Sequence, residues 1–419
     1  MLTFIRKTRM DTGPLRRHRD FRLLFLGQLI SFFGSMITYV ALPFQIFAMT
    51  HSSLAVGVLG VVEFVPMLFM SFLGGALADS VDRRKMVLIT ETLLMVLIVV
   101  LAVNARLAHS QLWLIYVVAG TVMGVDSLQR PSLDALVPRL VPREETTSAA
   151  ALLGLRGSLG MIVGPAIGGI LISAIGLSAT YLVDVATFGA SLILLSMMKA
   201  VPPPPDAEGP SFKRIAEGIR FARSRQELVG TYVVDIVAMF FGMPIALFPA
   251  LAQHYGGADV LGILLSAPAV GSLVATATSG WTSSIHRHGM AVTWAACAWG
   301  AAITCFGLST WLPLALFFLA LAGAADMISG IFRMTIWNQT IPDELRGRLA
   351  GIELLSYASG PALSGIESGA VASAFTPRVS VVSGGLLCIV GAVVCAALLP
   401  GFRTYSSKQG ADPPPGTVL

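Results

Sequence analysis

Twelve stretches of about 20 or more mostly apolar residues run through this chain, separated by short polar breaks. They cover roughly 21–49, 53–78, 86–107, 111–137, 144–174, 178–199, 228–254, 258–285, 289–308, 312–340, 344–373 and 378–400. About 20 apolar residues in an α-helix cross the hydrocarbon core of a bilayer, whereas a spanning strand needs about ten residues of alternating polarity. Continuous rather than alternating apolarity predicts an all-α membrane protein. Composition agrees, with 12% of the 419 residues charged, about half the share that coats soluble domains. The first stretch exceeds a signal-peptide core and has no small-residue cleavage site leading into a soluble domain, so it reads as a retained span.

Lys and Arg set the expected orientation. With both termini inside, 23 of them fall in cytoplasmic segments and two, Arg106 and Arg378, in outer loops. Arg130, Arg156 and Arg333 lie inside spans. The positive-inside bias therefore predicts cytoplasmic termini. Basic loops facing anionic membrane lipid account for the net charge of +5 without a nucleic-acid partner. The four cysteines (297, 305, 388 and 395) sit in the ninth and twelfth spans. They lack metal-ligand spacing and read as small buried residues, so no metal or disulfide is expected.

Composition shifts at Pro202–Pro205, after which basic residues run to Arg225. Consecutive prolines favour a stiff, extended segment, and Phe212, Ile215 and Ile219 suggest a short amphipathic helix behind it. The predicted organisation is a cytoplasmic tail (1–20), a six-helix bundle (21–199), a cytoplasmic linker (200–227), a second six-helix bundle (228–400) and a C-terminal tail (401–419). The halves repeat. Asp126/Asp326 and Pro142/Pro342 are 200 apart, and Gly164-Pro165-Ala166 matches Gly360-Pro361-Ala362 at an offset of 196. Met86 has a fainter counterpart in Met290. Duplicated six-span units are common in secondary transporters, which bind substrate near midplane between the repeats.

Charges inside spans are costly and usually face a cavity or a partner. Asp126 and Arg130 share a face of span four at i, i+4, a spacing that pairs them. Asp326 and Arg333 lie two turns, about 10 Å, apart on span ten, which leaves Asp326 less compensated from its own helix. Asp235 in span seven and Glu63 in span two complete the candidates for substrate binding or proton coupling. Glu91 and Asp184, in spans three and six, read as structural.

Two motifs connect these spans to a known superfamily. Gly75-Ala-Leu-Ala-Asp79-Ser-Val-Asp-Arg83-Arg84-Lys85 resembles the loop motif of the major facilitator superfamily, departing from it at Ser80 and Asp82. Asp79 can accept backbone N–H bonds at a helix start, and Arg83 can pair with Asp79 or with Asp134 at the inner end of span four. Gly75, Asp79, Arg83, Arg84 and Asp134 would then latch one conformational state. Gly160, Gly164, Pro165, Gly168 and Gly169 in span five resemble the superfamily's antiporter motif, with Ala151 at its first glycine. Small residues there let helices approach closely.

The stretches Phe21–Gln28, Ala41–Pro43, Leu247–Ala252 and Pro342–Arg348 resemble the enterobactin-exporter and macrolide-efflux branch of that superfamily. The resemblance implies twelve helices in two pseudo-symmetric bundles, with spans 1, 4, 7 and 10 lining a cavity. It also implies efflux of amphipathic, siderophore- or drug-like molecules across a bacterial inner membrane by a monomer, driven by the proton gradient and no other cofactor. Uptake or facilitation is the alternative within the class, and a non-transporting receptor or assembly partner is the alternative outside it. No Walker-type loop, H-E-x-x-H or G-x-S-x-G motif in a soluble context points to an enzyme.

Overall fold

The computed structural model describes residues 11–201 and 220–406, apart from the side chains of 72, 75–80, 343, 344, 346–348, 350 and 351. Among them every regular element is helical. A short α1 (Gly13–Arg17) precedes α2 (Arg19–Thr50), α3 (Ser53–Ser80), α4 (Arg83–Asn104), α5 (Leu112–Leu140) and α6 (Thr146–Ser196). After the linker come α7 (Gln226–Gly242), α8 (Phe248–Tyr255), α9 (Ala258–Ala277), α10 (His288–Leu308), α11 (Leu312–Thr340), α12 (Asp343–Ala374), α13 (Pro377–Leu398) and α14 (Pro400–Thr404). Ten segments of the described residues are long and apolar enough to cross a membrane.

The breaks have local causes. His51 takes a left-handed φ of 50° between α2 and α3. Asp82 caps α4, its Oδ1 accepting the N–H groups of Arg84 (2.9 Å) and Lys85 (3.2 Å), which satisfies donors that a helix start leaves unpaired. The segment containing α6 runs for 54 residues and is divided at Gly176, where φ is +80°, a conformation that suits only glycine without strain. Span seven is discontinuous: α7 ends at Gly242, and a 3-10 turn over Ile245–Leu247 leads into α8. The Ser364 hydroxyl donates to the Met243 carbonyl that this break exposes.

The chain forms two compact units, one from Met1–Gln45 with Val62–Pro210 and the other from Ile46–Val61 with Ser211–Leu419. In a bilayer, lipid tails are as apolar as leucine, so helices associate through close packing and polar contacts. In the first unit, a Cβ on Gly160, Gly164 or Gly168 of α6 would run into Phe32, Met36 or the Ile37 backbone of α2. In the second, Gly57 and Gly365 lie backbone to backbone, as do Gly271 with Ala320 and Gly323 with Pro268. Trp337 Nε1 donates to Thr231 Oγ1 at 2.8 Å and Trp299 Nε1 to the Gly242 carbonyl at 3.0 Å. The fully buried Phe402 ring of α14 fills the space left by Gly230.

The N-terminal segment is tied to the loop before α6. Arg17 and His18 both reach Glu145, and the Ser148 hydroxyl donates to Asp11. The Gly13 N–H and that hydroxyl hold the Asp11 carboxyl below its ordinary range.

Candidate transport site

In the second unit, helix geometry brings three of the predicted charges together. Asp235 stands on α7, about two turns before the break at Gly242, and Arg333 stands on α11. Arg333 Nη1 forms an ion pair with Asp235 Oδ1, and its Nη2 lies 3.5 Å from Asp326 Oδ1. Ser356 of α12 donates to Asp235 Oδ2 at 3.2 Å. The arginine thus bridges two acids. The two-turn separation of Asp326 from Arg333 had suggested a poorly compensated acid, but the long guanidinium side chain closes the 10 Å step. The acids differ in setting: the Asp235 side chain is 3% exposed and that of Asp326 39%. A cavity of about 10 Å³, bordered by Asp235, Asp326, Ser329 and Trp299, adjoins them. That is about the smallest volume that accommodates one water.

The first unit is arranged differently. Asp126 has Arg130 and Arg156 within electrostatic reach, but among the described residues neither approaches within ion-pair distance. The i, i+4 spacing places Asp126 and Arg130 on one face, where both are exposed. Arg156 is drawn toward Asp134 as well as Asp126 and Glu91, and lies 5.6 Å from the centroid of the Phe32 ring. Glu63 is partly buried on α3, within electrostatic reach of Tyr39.

Two buried polar clusters escaped the functional reading of the sequence. Glu91 Oε1 accepts from Gln28 Nε2 (2.7 Å), Ser31 Oγ (3.3 Å) and Gln129 Nε2 (3.3 Å), while its Oε2 is buried without a partner. Two helices, α2 and α5, therefore converge on one carboxylate oxygen of α4. Asp184 accepts from Thr38 and Thr187, and Tyr181 donates to Gln45 at 2.8 Å. Glutamines and serines in apolar spans were the available signal, because a buried amide requires a partner.

The proposed latch is partly in view. Gly75 and Asp79 lie outside the described side chains. Arg83, for which Asp79 or Asp134 was the expected partner, donates through Nη1 to the Ala135 carbonyl at 3.2 Å, near the C-terminal end of α5. Arg84 donates to the carbonyls of Leu195 and Ser196, capping the negative end of α6. Asp82, the departure from the motif's glycine, is the α4 cap. The span-five motif packs its Gly160, Gly164 and Gly168 face on α2, with Pro165 and Gly169 buried beside it.

The family described as transmembrane secretion effector matches residues 11–415. The enterobactin exporter EntS of Citrobacter koseri is 31% identical over 413 residues, covering 98% of each chain. Its counterpart in Shigella boydii is 30% identical over 393 residues, 93% of this chain and 94% of that one. Among solved structures, a mutant of the nucleoside transporter NupG superposes with a TM-score of 0.78 at 12% identity, covering 90% of this chain and 99% of that one. An inward-facing bacterial homologue of the lysosomal transporter Spinster gives 0.71 at 15% identity, covering 96% and 100%. At such identities these structures bear on the fold alone.

Proposed function

The chain belongs to the transmembrane secretion effector family of the major facilitator superfamily and is a membrane transporter, and from that premise we propose that it exports amphipathic small molecules in exchange for protons. The substrates are siderophore- or drug-like, the membrane is the bacterial inner membrane, and the cycle is alternating access with both termini cytoplasmic. The proton gradient is the energy source, with no other cofactor. Small-molecule export is supported by the enterobactin exporters among the relatives.

The observation that carries the coupling is the Asp235–Arg333–Asp326 arrangement. An arginine shared by a buried and a half-exposed acid can hold one partner fixed while the other exchanges a proton for a substrate group. Asp326 is the exchanging acid because it is the exposed, more distant one. Asp126, Arg130 and Glu63 supply polar contacts to substrate. Arg83 and Arg84, with Gly75, Asp79 and Asp134, bias the conformational equilibrium.

Everted vesicles or proteoliposomes test this. A catecholate siderophore should accumulate when the lumen is acidified, and a protonophore should abolish the accumulation. Asp326→Asn should bind substrate yet lose the response to the gradient. Retention of full pH dependence in Asp326→Asn would move the proton site to Glu63 or Asp235. Greater whole-cell accumulation on expression would refute efflux in favour of uptake.

A further inference from the structure

Away from the charged residues, the second unit carries a groove of about 460 Å³ between α10 and α11. Its floor is alanine. Ala291, Ala295 and Ala298 recur at i, i+4, i+7 on one face of α10 and meet Ala324 and Ala325 of α11. Larger apolar side chains form the walls, among them Trp294 and Leu321, 67% and 44% exposed. Small residues facing each other between larger ones leave a trough rather than a sealed helix interface. Its volume corresponds to about fifteen liquid-water volumes, on the scale of one hydrocarbon chain.

One end of the trough is electropositive. Arg287 lines it and is exposed. That residue immediately precedes α10, a helix of 21 residues whose N-terminus has no side-chain cap. The first-turn residues Met290 and Ala291 line the same groove, so that end of the groove lies beside the positive end of the helix dipole. Trp281, half exposed, stands beside it. Tryptophan favours the level of lipid headgroups. An apolar trough open to the bilayer and ending in an arginine, an uncapped helix start and a tryptophan matches the two parts of one molecule.

We propose that this groove is a binding site for an anionic phospholipid, with an acyl chain along the alanine floor and the phosphate at Arg287 and the first turn of α10. In the proposed orientation the site faces the cytoplasmic leaflet, whose anionic lipids attract basic residues. The site goes beyond the transport reading and does not depend on it.

Tryptophan quenching by chain-brominated lipids reads the site directly, since Trp281 and Trp294 line it. The full chain is reconstituted in phosphatidylcholine bilayers containing brominated phosphatidylglycerol or brominated phosphatidylcholine at equal mole fraction. In the fluorescence component lost in Trp294→Phe, the anionic lipid should be preferred about five-fold, the factor expected for one basic residue near an anionic headgroup. Arg287→Gln, at an exposed position, should abolish the preference. Ala298→Leu, also exposed, should fill the trough and weaken quenching by both lipids. Equal quenching by the two lipids in the unmodified chain, or a preference that survives Arg287→Gln, overturns the proposal.

Discussion

Asp235→Asn and Asp326→Asn remove one charge each from the same arginine, and their costs should differ several-fold. The Asp235 and Arg333 side chains are 3% and 10% exposed, and Arg333 Nε is buried without a partner. Breaking a buried pair by removing one member costs about 3–5 kcal/mol, because the other charge is left uncompensated. In Asp235→Asn, however, Asp326 remains 3.5 Å from Nη2. That contact still partly compensates the arginine, which keeps the loss near the lower bound, about 3 kcal/mol. Asp326→Asn removes the looser, half-exposed contact and leaves the tight one, so about 0.2–1 kcal/mol is expected. Arg333→Met strands the more deeply buried acid and should cost about 5 kcal/mol. Combining it with Asp235→Asn should recover about 2 kcal/mol, a non-additivity that contacting charges require. Exposure of the buried thiols of Cys388 and Cys395 to a reactive dye during heating in detergent ranks the four variants. Asp326→Asn proving as damaging as Asp235→Asn, or the double variant proving worse than Arg333→Met, would refute the bridged arrangement.

The remaining expectations concern packing, capping and orientation. Glu91→Gln keeps an acceptor for the two glutamine amides and should retain near-normal thermal stability, whereas Glu91→Leu strands both, at about 1–3 kcal/mol each; equal melting of the two variants would count against the cluster. Asp82→Ala should cost about 0.5–2 kcal/mol and Asp82→Asn far less, visible as faster hydrogen exchange at the Arg84 and Lys85 amides. Gly271→Leu and Gly323→Leu drive a side chain into the Ala320 and Pro268 backbones and should abolish the yield of folded protein, measured as a monodisperse peak in detergent. A phosphatase fused at His109 should be active and one fused at the C-terminus inactive; the reverse pattern would invert the proposed topology.

Long apolar stretches revealed the helical membrane fold because spanning a bilayer demands both length and apolarity. The break in span seven was less visible. Met243 and Pro244 sit in a run apolar enough to read as continuous, yet the Gly242-Met243-Pro244 sequence disfavours helix on backbone grounds alone. The site was legible as residues but not as partners. Asp235, Asp326 and Arg333 stood out because charge in a span is expensive, whereas their meeting depends on how α7 packs on α11. Spacing along one helix suggested that Asp126 and Arg130 would pair and Asp326 would stand apart, and both expectations failed for the same reason. Helical spacing places Cα positions on a face, but it does not say where a flexible arginine ends.

The internal repeat shows how such a site diverges on a shared backbone. Gly164 packs on the Met36 Cβ and the Phe33 carbonyl, and Gly360 on the Met239 Cβ and the Ile236 carbonyl. The second contact is the first one displaced by 196 residues on the glycine side and 203 on the other. Held to that register, Asp235 corresponds to Phe32, the ring beneath Arg156. The offset of 204 that relates Met86 to Met290 takes Glu91 to Ala295, on the border of the small cavity beside Asp235 and Asp326. One unit therefore holds a buried acid on span three with neutral amides, and the other holds one on span seven with an arginine. Backbone contacts through glycine tolerate no change in volume and repeat faithfully, while side chains in the space between helices are free to exchange charge for aromatic bulk. A duplicated scaffold thus carries unequally compensated acids in its two halves, and the proposed proton exchange at Asp326 rests on that inequality rather than on the symmetry of the fold.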